Sequence, residues 1–130
     1  MKMFFTLITF ATLASLAIVG FAADANSGKS VLRHVVAFKF KSTTTPEQIK
    51  SVEVAFSALP GKISEIKGFE WGLNNSPENL NKGCTHGYIL TFNSDKDRGA
   101  YIIHPAHKIF GGLVGPLLDD VFVIDFFAKE

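Results

Sequence analysis

The chain has 130 residues, 47% of them hydrophobic, one cysteine, and thirteen basic against twelve acidic side chains for a formal charge of +1. That length holds a single domain of ordinary size once an apolar N-terminal stretch is set aside. Dispersed lysines and a near-neutral balance exclude a basic nucleic-acid-binding stripe, and the lone Cys84 excludes an internal disulfide.

Residues 1–22 have the three parts of an export leader: Lys2 near the start, an uncharged run from Phe4 to Phe21, and small residues that allow cleavage after Ala22 or Ala25. A periplasmic or secreted location is therefore expected. The rival is a retained anchor, since an apolar run of about 18 residues is the lower limit for crossing a bilayer; contact with a membrane is expected only through an uncleaved leader. Residues 23–31 read as a flexible entry to a domain over 32–128.

The first element of that domain is a strand from Val31 to Lys41. Leu32, His34, Val36, Phe38 and Phe40 alternate with Arg33, Val35, Ala37, Lys39 and Lys41, the period of two that a strand requires. Thr45-Pro46-Glu47-Gln48 then supplies a threonine N-cap, a proline at the first helical position and a glutamine placed to close a capping box. Ile49, Val52, Phe56 and Leu59 form one helical stripe, which Pro60-Gly61 ends. Phe69, Trp71 and Leu73 mark a second strand, Asn74 to Gly83 a loop, and His86, Tyr88, Leu90 and Phe92 one face of a third strand. Ser94 with Asp97 opens another helix, Pro105 predicts a break and a short continuation, and Val121 to Phe127 is a last strand.

The order β-α-β-β-α-β predicts an α+β, ferredoxin-like fold, in which a four-stranded antiparallel sheet carries its helices on one face. Val35, Ala37, Ile89 and either Phe122-Ile124-Phe126 or the opposite set on the last strand are then left to cover the other face. Apolar surface of that extent is unusual on a monomer. Sheet-to-sheet homodimerisation is the simplest cover.

Four histidines, His34, His86, His104 and His107, fall in segments that the pattern gathers around one volume, and imidazole exchanges a proton near neutral pH. His34 and His86 are in phase with the helix-facing apolar residues of their strands. Tyr101, His104 and His107 follow at spacings of three; tyrosine can donate a hydrogen bond to a carbonyl and histidine can act as a base. Each of these residues also has a structural alternative, as a satisfied core-edge or helix-end group. His104 and His107 have the spacing of a metal pair, with His86 or Asp125 as a third ligand, but Pro105 disturbs it, and neither a metal nor a cofactor is expected.

The segments His34-Val-Val-Ala-Phe-Lys-Phe-Lys41, Phe69-Glu-Trp-Gly72, Thr85-His86, Thr91-Phe92 and Tyr101-Ile-Ile-His-Pro-Ala-His107 together resemble the stress-responsive dimeric α/β-barrel (Dabb) family, from about Leu32 to Phe127. The resemblance implies pairing into a dimeric α/β barrel. Some members are cofactor-free polyketide cyclases that promote an aldol cyclisation with a tyrosine and a histidine, which implies Tyr101 and His107 as the catalytic pair here. It also implies that His34 and His86 line a cavity from the sheet side, with Phe38 and Tyr88 near them and Phe56 entering from the first helix; His104 is added as a further ligand contact.

Three functions follow as expectations. The first is an exported dimer that binds a small apolar or aromatic molecule in a histidine-edged cavity. The second is a cofactor-free lyase or cyclase, and the third a stress-protective protein acting through its stability and surface.

Overall fold

The computed structural model describes residues 30–130. The expected leader, its cleavage sites and most of the entry segment lie outside these residues. No helix among the described residues is long and apolar enough to cross a membrane.

Strand β1 spans Leu32–Phe40, helix α1 Pro46–Ala58, β2 Gly68–Leu73, β3 His86–Phe92, α2 Asp95–Ile103, α3 Pro105–Val114 and β4 Leu118–Phe127. The local signals that predict these elements are made as bonds. Gln48 N–H donates to Thr45 Oγ1 at 3.2 Å and Thr45 N–H donates to Gln48 Oε1 at 2.9 Å, so the capping box at α1 is closed. Asp97 N–H donates to Ser94 Oγ at the start of α2. The last strand begins at Leu118, three residues before the apolar run that predicts it, because Leu118 and Asp120 already pair with Phe40 and Lys39 across a register shift in β1.

The sheet is antiparallel throughout, in the order β2-β3-β1-β4. One face carries the helices and the core: Leu32, Val36 and Phe38 from β1, Tyr88, Leu90 and Phe92 from β3, Val52 and Phe56 from α1, Tyr101 from α2, and Phe110 and Val114 from α3 are all buried. Burying an aliphatic or aromatic side chain of this size is worth about 1.5–3 kcal/mol, and this single cluster carries the domain.

The register decides which set of β4 faces away from the helices. Val35 lies between Ile89 and Ile124, Ala37 between Gly87 and Phe122, and Arg33 between Thr91 and Phe126. The uncovered face is therefore Val35, Ala37, Ile89, Phe122, Ile124 and Phe126, and the last three keep 53%, 49% and 47% of their surface exposed. The helices also leave the outer edge of the sheet open: Val121 and Val123 pair with Phe38 and Val36 on the helix side, yet remain 48% and 51% exposed.

Candidate functional site

Under that open edge a cavity of about 260 Å³ lies between the sheet and the helices. Its inner wall is apolar. Phe56 from α1 stacks on Phe110 from α3 at 4.5 Å between ring centroids, with Phe38 from β1 beside them, and Val121 and Val123 form the outer side. Its polar groups are His34, Tyr101 and His107, all at the α2–α3 end.

Those three side chains meet because of the His104-Pro105 break. Proline disfavours helical backbone in the residue before it, and His104 is extended, with φ −64° and ψ 137°. Helix α2 stops there and α3 starts at once. His104 serves both: its N–H donates to the Tyr101 carbonyl as α2 closes, and its Nδ1 accepts from Ala106 N–H as the cap of α3. One turn into α3, His107 comes back over the end of α2, with its ring 4.3 Å from that of Tyr101. Tyr101 in turn stands edge-on to His34 at 5.6 Å.

The hydrogen bonds fix the protonation pattern. His107 Nδ1 lies 3.0 Å from the Ile102 carbonyl, which can only accept, so Nδ1 carries the proton. His34 Nδ1 lies 2.6 Å from Asp125 Oδ1, and the other oxygen of that carboxylate accepts from the Arg98 guanidinium at 2.8 Å. A carboxylate held by a guanidinium is an acceptor, so His34 also carries its proton on Nδ1. When the rings are neutral, each leaves a bare Nε2. Burial, with the Asp125 charge added to it, pushes the Tyr101 hydroxyl well above the ordinary phenol value and keeps it protonated. The cavity thus offers one hydroxyl donor and two imidazole acceptors around a small volume.

Of the residues named from the sequence, His34, Phe38, Phe56, Tyr101 and His107 line the cavity; His86, Tyr88 and His104 do not. The expectation that the four histidines gather around one volume is corrected. His104 is drawn into capping by the proline behind it. His86 sits two residues before Tyr88 at the start of β3, where Nδ1 pairs with Thr85 Oγ1 at 2.8 Å and Nε2 with Glu53 Oε1 at 3.1 Å, and Trp71 stacks on it in parallel planes. Tyr88 is wholly buried behind the inner wall, 4.4 Å from Phe56, and its hydroxyl has no partner. Its phenol is held far above the ordinary value by burial.

Sequence reasoning misses Arg98 and offers Asp125 only as a third metal ligand. Asp125 is the one charge in the apolar run from Val121 to Phe127, but only the β1–β4 register sets it opposite His34. Arg98 carried no signal beyond its position three residues before Tyr101. The one pair at metal-ligand spacing, His104 and His107, is committed to the backbone through Nδ1. Among the described residues no group of three His, Cys, Asp or Glu side chains is arranged to hold a metal.

Fold and site together define a ferredoxin-like α+β domain with a histidine- and tyrosine-edged cavity under one sheet edge. The chain belongs to the Stress responsive A/B Barrel Domain (Dabb) family, whose pattern it matches over residues 32–128. It is similar to the stress-response A/B barrel domain-containing protein HS1 of Arabidopsis thaliana, at 38% identity over 75% of this chain and 90% of that protein. It is also similar to olivetolic acid cyclase of Cannabis sativa, at 30% identity over 76% of this chain and 98% of the cyclase. Among solved structures, the hydroxynitrile lyase of Passiflora edulis superposes with a TM-score of 0.74 at 26% identity, covering 78% of this chain and 96% of the lyase. A dimeric ferredoxin-like protein of unknown function from Thermobifida fusca superposes with a TM-score of 0.68 at 26% identity, covering 78% and 93%.

Proposed function

We propose that this Dabb protein is exported, pairs with a second copy of itself, and binds a small, mostly apolar or aromatic molecule. The observation that carries the binding reading is the cavity, whose walls are aliphatic and aromatic while its three polar groups converge at one end. Ligand sites have that character: apolar area supplies affinity and a few placed polar groups supply orientation. Gly111 lines the cavity, and a Cβ built on it meets nothing within 4 Å. Gly111→Leu therefore puts an isobutyl group into the cavity, one helical turn after His107 on the same face of α3. A panel of alkylphenols and aromatic aldehydes should raise the melting temperature of the unsubstituted protein and leave Gly111→Leu unmoved; a panel with no effect on the unsubstituted protein refutes the binding reading.

Pairing is supported by the uncovered face and the long apolar edge of β4, surfaces that single copies in water seldom leave bare, and by the dimeric neighbour from Thermobifida fusca. Several hundred Å² of apolar surface buried at about 25 cal/mol per Å² amounts to several kcal/mol or more. Sedimentation should show a dimer at micromolar concentration and a monomer for Ile124→Glu. A monomeric unsubstituted protein overturns it.

The second reading is a cofactor-free lyase or cyclase, favoured by the tyrosine donor set against two basic Nε2 atoms and by relatives named as a cyclase and a lyase. Tyr101 would polarise a substrate carbonyl and His107 would take the proton. Any turnover found should fall at least about 100-fold in both Tyr101→Phe and His107→Ala. A stress-protective role, which the name of the Arabidopsis thaliana relative suggests, needs no intact cavity: protection retained in Gly111→Leu would favour it.

A further inference from the structure

We propose that Arg98 is a positioning residue of the cavity: through Asp125 it holds the His34 imidazole in a single tautomer, with Nε2 bare toward the bound molecule, and it anchors the helix face that carries Tyr101. The proposal rests on the binding reading in one respect, that His34 faces the ligand.

Three elements meet in this contact. His34 is on β1, Asp125 lies opposite it on β4, and Arg98 reaches them from α2. The carboxylate uses one oxygen for each neighbour, at 2.6 Å to His34 and 2.8 Å to Arg98. His34 is buried, whereas the side chains of Asp125 and Arg98 keep 23% and 27% of their surface. A carboxylate with water within reach is free to turn unless it is held from both sides, and imidazole takes either tautomer in the absence of a fixed acceptor. The guanidinium supplies the second hold. It also offsets the carboxylate's charge, so that with His34 neutral the three side chains are together uncharged.

Arg98 and Tyr101 are three residues apart on α2 and share a face of it. The bond from Arg98 to β4 therefore also draws that face against the sheet, where Tyr101 meets His34. Tyr101 is the one buried side chain of this nine-residue helix, and Arg98 gives the same face a second tie to the sheet.

The test reads tautomers directly and needs no ligand. Imidazole 1H–15N correlations at roughly pH 8, where histidines are mostly neutral, should show His34 as the Nδ1–H form in the unsubstituted protein. Arg98→Leu is expected to bring in the Nε2–H form of His34, and Arg98→Lys, which keeps charge and donor, to restore the single form. His107, tied to the Ile102 carbonyl rather than to Asp125, should stay Nδ1–H in all three and serves as the internal control. An unchanged His34 pattern in Arg98→Leu overturns the proposal, as does an equal change at His107, which would report general loosening. If Arg98→Leu fails to fold, Arg98→Met, which likewise removes charge and donor but keeps an unbranched stem, is read the same way; failure of both makes Arg98 a folding residue and also overturns it. Should the tautomer respond while no aromatic compound binds, the positioning stands and the binding reading falls.

Discussion

His34 and His86 occupy equivalent places on neighbouring strands, each buried, each in phase with the core and each paired with a carboxylate, and they end in opposite situations. Around His86 both ring nitrogens are consumed, by Thr85 and Glu53, and Trp71 and Phe40 close over the ring. Around His34 only Nδ1 is consumed, and the ring faces a cavity. The carboxylates differ in the same sense: Glu53 comes from α1 and ties that helix to β3, whereas Asp125 comes from the adjacent strand and ties His34 to α2 through Arg98. A buried histidine with a carboxylate partner is thus a fastener where its second nitrogen is spent, and keeps a free hydrogen-bonding atom where it is not.

The sharpest way to break this contrast is to remove each ring. His86→Ala leaves a largely enclosed carboxylate on α1 and a void beside Trp71, and should cost about 3 kcal/mol in denaturant unfolding. His34→Ala leaves Asp125 still bonded to Arg98 and opens onto existing space; a cost nearer 1 kcal/mol is expected. Equal costs would erase the distinction.

A smaller effect separates the two ends by pH. The hydrogen bond from His86, more than burial opposes it, draws the Glu53 carboxyl below its ordinary value, with Lys50 assisting. A depressed folded value stabilises the fold fully above the unfolded carboxyl range and loses that contribution as pH falls through the depressed value. The stability difference between the unsubstituted protein and Glu53→Gln should therefore be present at neutral pH and shrink on acidification below the ordinary glutamate range, followed by thermal melts. A difference that grows instead would reverse the sign assigned to the pair.

The smallest effect concerns the residue between the two ends. The Tyr88 hydroxyl is buried without a partner, so Tyr88→Phe removes an unmet polar group and should leave the melting point unchanged or raise stability by up to about 1 kcal/mol. A loss of more than that would mean the hydroxyl has a partner in solution, and the wall behind Phe56 is then polar.

Much of this was legible in the chain. Alternation in β1 and β3, the threonine-proline start of α1 and the serine at the start of α2 predict the elements, because each is a local signal that needs no knowledge of neighbours. The apolar face was foreseen, but the choice between Phe122-Ile124-Phe126 and its opposite set had to wait for the register, since β4 is apolar on both sides. The site was half legible. Periodicity puts His34 and His86 on the helix side correctly and cannot tell that α1 supplies the carboxylate for His86 and β4 the one for His34. Likewise, the spacing of His104 and His107 says nothing about which nitrogen the backbone will claim.

The break at Pro105 has a consequence for how the site tolerates change. On an unbroken helix, residues six apart point about 120° away from each other, so Tyr101 and His107 would look in different directions. Their contact at 4.3 Å exists because the chain stops and restarts between them. The pair belongs to the corner itself: shortening or lengthening the segment by one residue would dismantle it with every side chain still present.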